Sequence, residues 1–314
     1  MAVLNEEQSM LRDMARDWAN EQSPVSAFRK VRDAGEAIGF DPKAFAAQAE
    51  MGWTGAIIPE AYGGSDFGYL SLGLVLEETG RTLTASPLGT TALAATSALL
   101  LAGSEAQKQA WLPKIASGDV IAALAVDEGP RHDPSKIATK AEKSGDGWTL
   151  SGTKKFVAEG DGAHLLVVAA HTGSGIGLFL VPADAKGVSC ASRNMVDARS
   201  HAEVGFDAVK LDSDALIGPE DGAALLDQVL DRARAGVAAE MLGLAVQAFE
   251  DTLAYLKTRE QFGEILSRFQ ALQHRMAHQF TQIELMRSVV EGALEAIDTD
   301  RDDIAAKVSL AKAT

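Results

Sequence analysis

Between residues 119 and 217 the chain strings together short segments rich in β-branched and aromatic residues, and no helical pattern separates one from the next. The segments are GWTLSGTKKFVAEG, HLLVVAAHT, GLFLVPAD, GVSCASR and AEVGFDAVKL, divided by Gly, Asp and Asn. Parallel strands need crossover helices, so a Rossmann sheet is disfavoured and an antiparallel sheet or small barrel is expected. The flanks read differently. In residues 1–118, Leu11, Met14 and Trp18 recur at helical spacing, and Asp41 followed by Pro42 marks a helix start. YLSLGLVLEETGRTL is apolar nearly all round and predicts a buried helix, and a last helix opens at Ser104 and stops at Gly118. The loop IPEAYGGSDFG is rich in turn residues. Residues 218–314 hold two long proline-free helical runs and the start of a third. The expected class is α+β: an N-terminal helical domain (1–118), a middle antiparallel β domain, a small barrel or sandwich (119–217), and a C-terminal helical bundle (218–314).

Composition narrows the function classes. A chain of 314 residues with 46% hydrophobic and 23% charged residues is globular and long enough for a sizeable core. The net charge of −15 argues against a nucleic-acid binder, whose footprint would be basic. The apolar runs fall short of the roughly 18 residues that span a membrane, so no membrane insertion is expected. Asn5, Glu6, Glu7 and Asp13 break up any signal-peptide pattern, and a single cysteine excludes an intrachain disulfide framework, so a cytoplasmic location is expected.

Generic site motifs are sparse. GSGIG at 173–177 leads into another strand rather than a helix, so it reads as a hairpin turn and not a phosphate loop. His132 lies in a polar loop; His274 and His278 share a helix face but lack a third ligand nearby, and no metal site is expected. Cys190 reads as a small apolar filler in a strand.

The order of specific strings says more. EMGWTGAIIPEAYGGSDFG (50–68), LEETGR (76–81), SEAQKQAWLPKIASGD (104–119), GWTLSGTKKFVAEGDGAHLLVVAA (147–170), AAEMLGLA (238–245) and YLKTREQFGEILSRFQALQHRMA (255–277) each resemble stretches of the acyl-CoA dehydrogenase family, in the family's order along the whole chain. The resemblance implies an FAD-dependent oxidoreductase of fatty acid metabolism. It would remove a proton from the α-carbon of an acyl-CoA thioester and pass a hydride from the β-carbon to flavin N5, giving a trans-2-enoyl-CoA. Electron-transfer flavoprotein is the implied acceptor, and a homotetramer built as a dimer of dimers the implied assembly. Such an assembly is expected to cover an apolar helix side including Leu225, Leu226, Val229 and Leu242. Two alternatives stay open: a non-catalytic family subunit of a hetero-oligomer, and an acyl-CoA oxidase or flavin monooxygenase on the same scaffold.

Residue by residue, the resemblance implies that Val126 and Asp127 in the loop AVDEGPRHDPSK, and Phe156, Val157 and Ala158 in the β domain, lie at the flavin. Arg259, Gln261, Phe262, Leu266, Phe269 and Gln270 match positions that serve the FAD of a neighbouring subunit. Asp231 and Arg234 match positions near the thioester and CoA; an exposed i, i+3 pair is the equal alternative. The chain departs from the family in three places. Asp127, His132, Asp133 and Ala158 stand where Thr, Gly, Ser and a Thr or Ser hydroxyl are usual, so fewer side-chain donors reach the ring. Ala233 stands where some branches carry the catalytic base. The helical pattern is interrupted at Thr314, and the family's commoner base and its Gln-x-x-Gly-Gly-x-Gly stretch are expected beyond it. No catalytic base is named, and the C-terminal part of the family is expected to be lacking.

Overall fold

The computed structural model describes residues 4–35, 38–197 and 199–314. Six helices come first: α1 (Glu6–Gln22), α2 (Val25–Ala34), α3 (Pro42–Glu50), α4 (Gly68–Arg81), α5 (Thr96–Ala102) and α6 (Glu105–Ala116). Strands follow: β1 (Ala122–Ala125), β2 (Lys140–Ser144), β3 (Gly147–Ala158), β4 (Leu165–His171), β5 (Ile176–Pro182), β6 (Val188–Asn194), β7 (Ser200–Leu211) and β8 (Leu216–Ile217). The chain continues with α7 (Ala223–Thr258), the small hairpin β9 (Glu260–Gln261) and β10 (Glu264–Ile265), then α8 (Gln270–Asp298) and α9 (Ile304–Ala313). These form two compact units that do not follow the chain in three consecutive blocks.

One unit gathers Met1–Ala27, Tyr69–Thr84 and Arg234–Thr314. Helix α1 begins at a reciprocal cap in which Asn5 Oδ1 accepts from the Gln8 amide (2.7 Å) and the Gln8 side chain accepts from the Asn5 amide (3.1 Å). Its buried stripe is Leu11, Ala15, Trp18 and Ala19; Met14 is exposed, because the small alanines and not the methionine face the core. Helix α4 is buried along Leu70–Gly80, as its all-round apolarity predicts. The amides of Tyr69 and Leu70 donate to the Asp298 carboxylate at 2.6 and 2.9 Å, which places an anion on the positive end of the α4 dipole. Its two buried carboxylates are paired: Glu78 with Arg16 (2.7 Å) and Arg81 (3.5 Å), Glu77 with Arg287. Where α4 passes α7, a Cβ on Gly243 would lie 1.8 Å from the Glu77 carbonyl oxygen, and one on Gly80 would lie 2.3 Å from the Glu240 carbonyl oxygen. Only glycine permits that backbone approach.

The other unit holds Phe28–Gly68 and Ala85–Ala233. Helices α3 and α6 start at Asp41 and Ser104, which accept from the amides of Lys43 and Gln107. The sheet runs β6-β7-β3-β2-β4-β5-β8 with β1 beside β4. Most neighbours are antiparallel; β1 pairs β4 in parallel, and β2 meets β4 in parallel at Lys140 and His171. Strand β4 is buried on both faces. Leu165, Val167 and Ala169 pack with Leu112, Ile115, Leu225, Leu226 and Val229, while Leu166, Val168 and Ala170 pack with Trp148, Leu150, Val157 and Val204. This corrects the expected apolar helix side: Leu225, Leu226 and Val229 are covered by the chain's own sheet, and Leu242 is likewise buried within the chain. Cys190 is exposed on β6 rather than a core filler, since almost the whole of that strand faces outward.

Candidate functional site

Strand β3 alternates in and out from its start, so Trp148, Leu150 and, in the same parity, Lys154 point inward. Continued alternation would bury Phe156. Instead the register against β7 shifts between Lys154 and Val157, a bulge that turns Val157 inward and leaves Phe156 41% exposed. Phe156 sits at φ 53° and Glu159 at φ 52°, left-handed values that side-chain-bearing residues seldom adopt. Ala158 is half-buried beside them.

The loop after β1 is fixed against this bulge. The Lys155 amide donates to the Asp127 carbonyl oxygen (2.7 Å), and the Lys154 ammonium donates to the Val126 carbonyl oxygen (2.9 Å) and to Glu128 (2.6 Å). Glu128 closes the loop by accepting from the amides of Ala138 (2.6 Å) and Thr139 (3.0 Å). Burial opposes ionisation of Glu128, but the hydrogen bonds from Lys154, Thr139 and Ala138 outweigh it and hold the carboxyl below its ordinary range. Burial pushes the Lys154 ammonium down, and Glu128 restores part of the loss. The Asp127 carboxylate lies 2.9 Å from His132 Nδ1, so it is engaged within the loop.

The structure thus brings Val126, Asp127, Phe156, Val157 and Ala158 together in one unit. The second expected group lies in the other unit. Arg259 follows the end of α7, exposed, and among the described residues its guanidinium has no hydrogen-bonding or ionic partner. Gln261 lies in the β9–β10 hairpin, and Phe262 stands 93% exposed at φ 57°. Its ring meets Phe269 edge-on at 6.4 Å. Leu266 is half-buried, and Gln270 opens α8. Asp231 and Arg234 are both half-buried on α7, with Ala233 between them, and so are not the freely exposed pair of the alternative reading.

These residues fit a flavin. A strained bulge keeps an aromatic ring open at the surface beside a pinned loop, which offers a flat apolar wall to a flat apolar ring. An exposed arginine without an acidic partner suits a phosphate, because its fork donates two parallel hydrogen bonds. Sequence reasoning did not single out Lys154, Glu159 and Arg199. One signal was available: Lys154 occupies an inward parity in β3, and a buried ammonium requires a carboxylate. His274 and His278 are exposed on α8, and the described residues contain no group of side chains able to hold a metal ion.

Comparison with known proteins identifies the class. The N-terminal, middle and C-terminal domain models of acyl-CoA dehydrogenase match residues 5–119, 122–209 and 220–314. The chain belongs to the acyl-CoA dehydrogenase family, whose members are flavin-dependent oxidoreductases. It is 32% identical over 311 residues to a probable acyl-CoA dehydrogenase of Bacillus subtilis, covering 95% of this chain and 81% of that one. It is 31% identical to mitochondrial isovaleryl-CoA dehydrogenase of Pongo abelii, covering 94% of this chain and 73% of that one. The solved butyryl-CoA dehydrogenase of Megasphaera elsdenii superposes with a TM-score of 0.89 at 27% identity, covering 99% of this chain and 84% of that one.

Proposed function

We propose that this chain binds FAD and serves the α,β-dehydrogenation of an acyl-CoA thioester to the trans-2-enoyl-CoA. The observation that carries the reading is Phe156, an aromatic held half-open at a left-handed bulge of the sheet. FAD held by these residues would supply the two-electron acceptor for the β-hydrogen. Phe156 and Val157 wall the isoalloxazine and exclude water from one of its faces. With Asp127 tied to His132 and Ala158 lacking a hydroxyl, the donors offered to the ring are backbone amides of the 126–128 loop and of the bulge. Arg259, with Gln261, Phe262, Leu266, Phe269 and Gln270, reaches the FAD of a neighbouring copy and neutralises its pyrophosphate. Asp231 and Arg234 face the thioester and CoA side, and no carboxylate is assigned as the α-proton base.

The same reading takes residues 1–118, 119–217 and 218–314 as the family's three domains, a dimer of dimers as the assembly, and electron-transfer flavoprotein as the acceptor. The cytoplasm is the proposed location, supported by a lone free cysteine. No helix of the described residues is long and apolar enough to cross a membrane. The test is product analysis. FAD-loaded protein, incubated with straight-chain and branched acyl-CoAs and an artificial electron acceptor, is expected to yield a product two hydrogens lighter by mass spectrometry. Unchanged substrates across the panel would count against the proposal.

A further inference from the structure

The segment that presents Phe156 is fastened by buried charge on both sides. Before it, the fully enclosed Lys154 donates to Glu128 (2.6 Å) and to the Val126 carbonyl oxygen (2.9 Å). After it, the buried carboxylate of Glu159 accepts from Arg199 (3.2 Å), and the Glu159 amide donates to the Ser200 carbonyl oxygen (2.9 Å). Between the two pairs lie the left-handed Phe156 and the register shift between Lys154 and Val157 against β7, and Glu159, itself left-handed, belongs to the second pair.

Stability does not account for this arrangement. A buried ion pair is often neutral or worse than an apolar pair of equal volume, because desolvation consumes the Coulombic gain. What such pairs supply is a fixed position: the enclosed Lys154 and Glu159 cannot move away from Glu128 and Arg199 without being left bare in the interior. Simple strand alternation would carry Phe156 to the inner face. A one-residue slip would also part Lys154 from Glu128, since strand registers move as a whole. The two pairs therefore oppose the relaxation that the left-handed residues favour.

We propose that Glu128–Lys154 and Glu159–Arg199 are paired positioning residues, clamps on either side of the bulge that preset Phe156, Val157 and Ala158 for the flavin. This rests on the reading that Phe156 lies against the isoalloxazine. The clamps act on the bulge before any ligand arrives, so the apo protein already carries their effect.

The test uses the full chain with Glu128→Gln and Glu159→Gln, which keep size and most hydrogen-bonding capacity while removing one charge from each clamp. Lys154→Met is the harsher variant and Lys154→Arg the conservative rescue. Three quantities are read: hydrogen exchange of the 154–160 amides without flavin, FAD affinity, and the visible spectrum of the bound flavin. Each Gln variant is expected to exchange at least tenfold faster in that segment alone, to bind FAD about tenfold more weakly, corresponding to about 1.4 kcal/mol, and to shift the flavin bands. Lys154→Arg should restore all three toward the parent. Exchange unchanged in both Gln variants overturns the clamps. Faster exchange confined to 154–160, with FAD affinity and spectrum both unchanged, leaves the clamps standing as structure but overturns their positioning role and the flavin contact at Phe156. Faster exchange spread evenly over the chain marks a general loss of stability and also overturns the proposal.

Discussion

Arg259 and Glu77 carry charges in opposite situations, and each makes a prediction. Arg259 is exposed and without a partner among the described residues, so its removal has little to disturb in the fold. Arg259→Ala is expected to lower FAD affinity about ten- to a hundredfold, the effect of losing roughly 1.5–3 kcal/mol of charged hydrogen bonding. Its melting temperature should match the parent; equal flavin content in the two proteins would remove Arg259 from the site. Glu77 is buried. Burial raises its carboxyl, the ion pair with Arg287 offsets only part of this, and the carboxylates of Glu78 and Glu291 push it further up. The folded chain therefore holds the Glu77 proton more tightly than the unfolded chain does. The associated stability is full below the ordinary carboxylate value of about 4.3 and is lost as pH rises through the raised one. Glu77→Gln cannot lose that proton. Across a melting series from acid to neutral pH, the parent should fall progressively relative to the variant, and two parallel curves would show that Glu77 is not raised.

Helices α4 and α7 meet through glycines, and this makes a prediction at the level of elements. Gly243→Ala forces a Cβ against the Glu77 carbonyl oxygen, with no flexible side chain to give way, and should destabilise by about 3 kcal/mol. Gly292→Ala, on α8 with open space around it, should instead stabilise by roughly 0.5–1 kcal/mol, because alanine is the better helix former. Denaturant unfolding of the two variants checks both signs. What the sequence made legible at this scale was local. Helix starts at Asp41 and Ser104 are written in neighbouring residues, and β3 to β7 announce themselves by composition and turn residues. Strand β1, Ala-Ala-Leu-Ala, carries no β-branched residue and exists through its parallel pairing with β4. Helix α2 buries none of its residues, although Val25, Phe28 and Val31 recur at helical spacing and offered a stripe to read. Site residues were legible only through resemblance. Beside the bulge under Phe156, Glu159 meets Arg199 across 40 positions of sequence, a contact that no local pattern encodes.

Taken as a whole, the molecule leaves large apolar side chains open in its C-terminal helices and their hairpin. Tyr255 is 57% exposed, Phe262 93%, Phe280 54% and Leu285 52%, while the leucines first expected there are covered within the chain. A homo-oligomer that covers the exposed set agrees with the proposed service of Arg259 to a neighbouring flavin. Light scattering should find an assembly larger than one chain at micromolar concentration, and a stable FAD-loaded monomer would contradict the assembly. Whether the Phe156 bulge belongs to a flavin that oxidises acyl-CoA thioesters is decided by an anaerobic titration. The purified protein is loaded with FAD and given acyl-CoAs one at a time while the visible flavin band is followed. At least one thioester is expected to bleach the band in proportion to the amount added, and Phe156→Ala to weaken FAD binding. A protein that binds no FAD, or one whose bound FAD keeps its full colour with every acyl-CoA, would contradict the proposed function.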